Sequence, residues 1–184
     1  MKKILIVLFI SCASGLFAQQ KPQAKKAEIQ WITLTEAFTR TQKEPRKTLV
    51  DAYTDWCGWC KVMDRETYTN PELIEYLNKN YYMVKFNAES KAPVTIGTNT
   101  YVFDEKSGAH QAAIALLQGK MSYPTTVFLD EKFNMIQPIP GYMKPKEFHQ
   151  LVTYLGGNYH TKEPYEQYKV GTYPSVYKAV LTKL

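Results

Sequence analysis

The chain has 184 residues, 45% of them apolar and 22% charged, with 9 Gly, 10 Pro and 3 Cys. Length and composition suit one domain with a sizeable core, and they exclude a wholly disordered, collagen-like or disulfide-dense chain. The net charge of +6 reflects 23 basic against 17 acidic residues, and no long Lys/Arg block makes it a nucleic-acid footprint.

The first elements in chain order read as an address. Lys2 and Lys3 precede the apolar run ILIVLFI at 4–10, and small residues lead to Ala18. A charged start, an apolar run and a small terminal residue describe a signal peptide over 1–18. The apolar stretch from Ile4 to Phe17 falls short of the ~20 residues that span a bilayer. A second reading attaches a lipid at Cys12, which would be the chain's only membrane contact. Cleavage after Ala18 removes Cys12, so an odd cysteine count becomes the single pair Cys57 and Cys60.

Residues 19–29 are polar without a pattern and read as a flexible leader. The folded domain is expected over 30–156. Thr33 caps a helix that runs to Gln42, with Glu36 as its capping-box partner and Pro45 beyond its end. Strands follow at 47–53 and 81–87. Between them lies a helical stretch over 58–79, broken near Asn70-Pro71, where a proline suits a new helix start. Val94 to Ile96 and Tyr101 to Phe103 flank Gly97-Thr98-Asn99 as a hairpin. A helix over 109–118 stops at Gly119. Strands at 125–129 and 135–139 flank a turn at Asp130-Glu131, and a helix over 144–155 ends at Gly156-Gly157. The Tyr-rich extension 157–184 holds a short helix after Pro174. Strands separated by helices predict an α/β sheet, with two sequential strands at its end pairing antiparallel.

Cys57-Gly58-Trp59-Cys60 lies between a strand and a helix. This spacing lets the sulfurs close a small ring at the first helical turn. The position sets Cys57 beside unpaired backbone N–H groups and the positive end of the helix dipole, which favour thiolate. Thiolate is the attacking species, so Cys57 reads as nucleophile and Cys60 as resolving thiol. Three alternatives stand beside this: half of a zinc site, a structural disulfide, or two buried thiols. No second CxxC and no His pair supports zinc, since His110, His149 and His160 are scattered. A ring this short adds little stability.

Residues 49–61, LVDAYTDWCGWCK, resemble the active-site strand and helix start of the thioredoxin superfamily. Asp51, six before Cys57, matches that family's buried acid, and Lys85 in VKFN matches the lysine facing it. Tyr123-Pro124-Thr125 matches the cis-proline loop, and Pro140-Gly141-Tyr142 the glycine of the last strand. The resemblance covers about residues 30–156. DWCGWCKVMDRETY and the insert before SYPTTVFLD are similar to thioredoxin-like proteins exported by Gram-negative bacteria. It implies a thioredoxin fold, with a central mixed sheet flanked by helices and an inserted hairpin and helix before the cis-Pro loop. It also implies a periplasmic location.

A buried Asp51 would have a raised pKa and suit proton acceptance from Cys60; the alternative places it in water at a strand end. Lys85 becomes its charge partner or points to solvent. Pro124 would bring the Tyr123 backbone beside Cys57, where an extended substrate pairs. Trp56 and Trp59 bracket the cysteines as an apolar docking surface, and Gly58 completes the substrate-facing segment. The alternative packs Trp56 on the fold and leaves Trp59 exposed.

The chain departs from ordinary thioredoxin by Trp59 in place of proline, by no kinking proline near Arg65, by the long segment 88–118 and by the tail. The reading is an exported thiol–disulfide oxidoreductase, with no cofactor beyond the Cys57–Cys60 dithiol. Gly58-Trp59 supplies no cation to hold Cys57 as thiolate, so reduction is favoured over strong oxidation. Its partners would be disulfide-containing exported proteins and a membrane electron donor. The rivals are an oxidase or isomerase of exported proteins, and a polypeptide-binding module with an inert disulfide.

Overall fold

The computed structural model describes residues 27–184. The signal peptide, Cys12 and the leader up to residue 26 lie outside the described residues. Ile29, assigned by sequence to the flexible leader, is instead buried in the core. Asn78 ties this segment to the body: its Nδ2 donates to the Glu28 carbonyl at 2.8 Å, and its Oδ1 accepts from the Gln30 N–H at 2.9 Å.

Five strands form a mixed sheet: β1 (Trp31–Ile32), β2 (Lys47–Tyr53), β3 (Tyr81–Asn87), β8 (Thr125–Leu129) and β9 (Met135–Pro140), in the order β1-β3-β2-β8-β9. β1, β3 and β2 run parallel, whereas β8 pairs antiparallel with both of its neighbours, β2 and β9. β2 is the central strand. Its side chains alternate, Leu49 entering one core and Val50 and Ala52 the other. A strand covered on both faces reads as a near-continuous buried run, as 47–52 do here.

One face carries α2 (Gly58–Glu66), α3 (Pro71–Asn80) and α5 (Pro145–Gly156), which contribute Met63, Leu73, Leu77, Phe148 and Val152 to its core. The other carries α1 (Leu34–Lys43) and α4 (Gln111–Leu116). Their ends follow local chemistry. Thr33 Oγ1 accepts from the Glu36 N–H at 3.1 Å, but the Glu36 carboxylate turns to Arg40 rather than completing a capping box. Asn70 Oδ1 accepts from the Leu73 N–H at 3.1 Å, with Pro71 in the first turn of α3.

The insert differs from its sequence reading. β4 (Val94–Ile96) pairs with β5 (Asn99–Tyr101), not with 101–103. Phe103–Asp104 (β6) pairs onward with Ala109–His110 (β7). Ala109 and His110 are therefore strand. α4 starts at Gln111, because the His110 ring Nδ1 accepts from the Ala112 N–H at 3.1 Å.

The tail docks on the body. A 3-10 turn at Tyr159–Thr161 precedes α6 (Tyr165–Gln167), a π turn (Tyr168–Thr172) and α7 (Tyr173–Val176). Helical structure thus starts well before Pro174. Tyr168 and Tyr173 are fully buried against α5: Tyr168 donates to Thr153 Oγ1 at 2.8 Å, and the Tyr173 hydroxyl lies 2.9 Å from His149 Nδ1. Burial pushes His149 down to about 4, so this pair forms with a neutral imidazole. Truncating a buried aromatic to alanine costs about 3–5 kcal/mol. Tyr168→Ala should lose that much in urea unfolding, and a loss below about 1 kcal/mol would mean the tail is not part of the core.

Candidate active site

β2 ends at Tyr53, and the chain turns into α2 through Thr54 to Trp56. The Cys57 N–H donates to the Thr54 carbonyl at 3.1 Å. Cys57 is the N-cap of α2, and its Sγ accepts from the Cys60 N–H at 3.1 Å. A helix start leaves such N–H groups unpaired, so a sulfur there meets a donor and the positive helix end. Cys57 and Cys60 are joined in a disulfide, with only 4% and 3% of each residue exposed. Gly58 opens the helix, and a Cβ there would meet nothing within 4 Å.

Above the disulfide stand two exposed tryptophans, Trp56 at 66% and Trp59 at 62%. Both face outward, which overturns the packing of Trp56 into the fold. Trp56 meets Tyr123 edge-on at 5.9 Å, and its Nε1 donates to Glu89 at 2.9 Å. Trp59 stacks on Tyr142 at 5.4 Å, and the Tyr142 hydroxyl donates to Glu66 at 2.7 Å. Trp59, Tyr123, Pro124, Gly141 and Tyr142 line a cavity of about 300 Å³. The Tyr123–Pro124 peptide is cis, and the Gly141 N–H donates to the Pro124 carbonyl at 2.8 Å. Gly141 has a φ of +104°, a conformation side chains disfavour.

On the sheet face that α2 covers lies Asp51, 1% exposed. It sits opposite Lys85 in the β2–β3 register and opposite Thr126 in the β2–β8 register. Lys85 Nζ donates to Asp51 Oδ2 at 2.7 Å and also to Asp64 of α2. The ammonium lies 5.3, 5.0 and 5.4 Å from the ring centres of Trp31, Tyr53 and Tyr68. Asp51 Oδ1 has no close hydrogen-bond partner among the described residues, and the buried Tyr68 phenol is the polar group that bears on this carboxylate besides Lys85 and Asp64.

Burial raises the Asp51 carboxyl above its ordinary value, against the pull of Lys85. Burial alone would lower the Lys85 ammonium, but the two carboxylates outweigh it and hold it above its ordinary value. Burial, with Asp51 adding to it, pushes the Tyr68 phenol well up. The site thus combines an anchored cation, a reluctant carboxylate and a neutral phenol.

Of the nine residues singled out by sequence, Cys57, Cys60, Trp56, Gly58 and Trp59 sit at the helix start with Tyr123 and Pro124 beside the tryptophans, and Asp51 and Lys85 are tied to the same helix through Asp64. Sequence reasoning missed Asp64, Tyr68, Thr126 and Glu89. Asp64 follows Cys60 by four, the spacing of one helix face, and that signal was available. Thr126 and Tyr68 reach Asp51 only through the tertiary fold.

Strand order, a cis-proline loop and a CxxC disulfide at a helix head define a protein of the thioredoxin superfamily. The chain belongs to the Thioredox_DsbH family, described as "Protein of unknown function, DUF255", whose model matches residues 16–168. It is 30% identical over 73 residues to spermatogenesis-associated protein 20 of Rattus norvegicus, covering 40% of this chain and 9% of that protein. Two solved structures share the fold. A DsbH oxidoreductase aligns at a TM-score of 0.50 and 20% identity, over 77% of this chain and 93% of that one. A thioredoxin-fold protein from Helicobacter pylori aligns at 0.54 and 17%, over 70% and 86%.

The raised Asp51 carboxyl has a stability consequence. The folded state holds this proton more tightly than the unfolded chain. Its contribution is therefore fully present below the ordinary aspartate value of 3.8 and is lost as pH rises through the folded value. Asp51→Asn should make the oxidised protein more resistant to urea at pH 7 and give no gain at pH 3. Equal gains at both pH values would contradict this.

Proposed function

We propose that this chain is an exported thiol–disulfide oxidoreductase working in the reducing direction. The observation that supports this most is the Cys57–Cys60 disulfide at the head of α2, a helix joined to the buried Asp51 through Asp64 and Lys85. In the reduced protein the Cys57 thiolate attacks one sulfur of a substrate disulfide. That S–S bond breaks, and the other substrate sulfur leaves as thiolate and takes a proton. Cys60 then gives its proton to Asp51 and attacks the Cys57 sulfur of the mixed disulfide. The second substrate sulfur leaves, two electrons have passed to the substrate, and the Cys57–Cys60 disulfide remains. Lys85 holds Asp51 Oδ2, which leaves Oδ1 for the proton.

The sulfurs are nearly buried, so a substrate must come to them across the aromatic surface. Trp56 and Trp59 supply apolar contact, and the Tyr123-Pro124 loop offers backbone to an extended segment. The substrates are disulfide-bonded exported polypeptides. Export is supported by the charged and apolar start over residues 1–18. A reductant in an oxidising compartment takes its electrons from a membrane partner.

Direction follows from what surrounds Cys57. Its sulfur gains one backbone donor and the helix end, while Gly58 and Trp59 add no cation. Strong oxidants stabilise the reduced form more than this, reaching about −120 mV against about −270 mV for thioredoxin. Equilibration with glutathione should give a value nearer the second figure, and one near −120 mV would make the protein an oxidase. The near-complete burial of both sulfurs beside two exposed tryptophans favours a second reading, a polypeptide-binding module with an inert disulfide. Insulin reduction under dithiothreitol separates the two. Catalysis abolished by Cys57→Ser supports the oxidoreductase, and a Cys60→Ser variant should trap substrate on Cys57. No catalysis in the parent protein leaves the binding module.

A further inference from the structure

Lys85 of β3 is a cation that serves two carboxylates, one on β2 and one on α2. Asp51 takes it from the buried side at 2.7 Å, and Asp64 takes it from α2. The two differ sharply in setting: the Asp51 side chain is 2% exposed and the Asp64 side chain 45%. Lys85 has little freedom to choose. Three aromatic rings surround its ammonium at 5.0 to 5.4 Å. Aromatic faces attract cations and hold the ammonium between its two partners. A cleft of about 420 Å³ opens on the Asp64 side, lined by Glu28, Trp31, Asp64, Tyr68 and Lys85 among others.

From this geometry we propose that Asp64 is a positioning residue for the redox reaction. It draws part of the Lys85 charge away from Asp51 and so keeps Asp51 a stronger proton acceptor for Cys60. The proposal rests on the oxidoreductase reading for its purpose, but the shared ion pair stands without it.

The physics has a definite sign. An opposite charge beside a carboxylate favours its ionised form and weakens its hold on a proton. Lys85 alone would do that to Asp51 in full. A second carboxylate on the same ammonium offsets part of the charge, and its own field opposes ionisation of Asp51 further. Asp64 acts in that sense on the Asp51 carboxyl. The groups facing Asp51 are Lys85 from β3, Asp64 from α2, the Tyr68 phenol from the turn after α2, Tyr53 on its own strand and the uncharged Thr126 from β8. Among them Asp64 is the one whose neutralisation leaves the buried core untouched.

The position on the helix matters as well. Asp64 lies one turn beyond Cys60 on α2, so one helix carries the proton donor and the residue that tunes its acceptor. The solvent side of the pair lies in the cleft, where the Lys85–Asp64 end meets water while Asp51 stays covered.

The test follows the Asp51 carboxyl carbon by NMR across pH in the oxidised protein, with no substrate present. Asp64→Asn should weaken proton binding at Asp51 about tenfold. Asp64→Glu, which keeps the charge, should restore the parent midpoint. In a Lys85→Met background the Asp64→Asn effect should shrink to less than half. Should Lys85→Met fail to fold, the nitrogen resonance of the Lys85 ammonium answers instead, moving in Asp64→Asn and returning in Asp64→Glu. An unchanged or tighter Asp51 midpoint in Asp64→Asn overturns the proposal. So does an equal shift with and without Lys85, which would mean a direct field alone. In the insulin assay Asp64→Asn should run several-fold slower at neutral pH and keep its rate further into acid. An inactive parent protein would overturn the oxidoreductase reading while leaving the titration result to judge the ion pair.

Discussion

A carboxylate in the middle of the central strand is the most demanding group in this molecule. Asp51 is flanked in sequence by Val50 and Ala52, which enter one core, while it faces the other. Burying such a charge unpaired is prohibitive, so the group must find a cation or keep its proton. The structure does part of each. Parallel pairing of β2 with β3 sets Lys85 opposite Asp51, and a slip of one residue would turn the lysine to the other face. The edge strand β1 adds Trp31 beside the ammonium, and the turn after α2 adds Tyr68. Sheet register, strand order and the end of α2 thus all bear on one ion pair.

That pair explains the division of labour across α2. Beneath the helix Asp51 is covered, while the Lys85–Asp64 end of the ion pair opens to a cleft. Above it the surface is aromatic and open, with Trp56 and Trp59 standing out on either side of a nearly buried disulfide. The two sides are held separately. Glu89, at the start of the insert, holds the Trp56 indole, and Glu66 holds the Tyr142 that stacks on Trp59. The insert and the end of α2 therefore hold the aromatic surface, while β2 and β3 hold the buried ion pair.

Much of this was legible locally. Thr33 caps its helix as expected and α3 starts at the expected break, where Asn70 caps it, because a cap is settled within three residues. The CxxC at a strand–helix junction is legible as a pair able to close a ring, and the structure joins it as a disulfide. The insert was less legible. Tyr101, Val102 and Phe103 form one β-prone run, and local pattern does not say which of them pairs back to Val94. Tyr101 does so, whereas Phe103 pairs with His110. The tail posed the same difficulty: tyrosines at irregular spacing suit either a solvated segment or a packed one until α5 supplies Thr153 and His149 as partners.

The sequence by itself determined the spacing of the cysteine pair, the helix and strand boundaries set by caps, prolines and glycines, and the presence of an acid and a lysine in strands on either side of the cysteines. Those features rest on contacts within a few residues. Tertiary structure decided which atoms meet. It set Lys85 between Asp51 and Asp64, brought Tyr68 and Thr126 to the same carboxylate, exposed both tryptophans and folded the tail onto α5. Each of these depends on pairing register or packing between distant segments, and no local propensity encodes that.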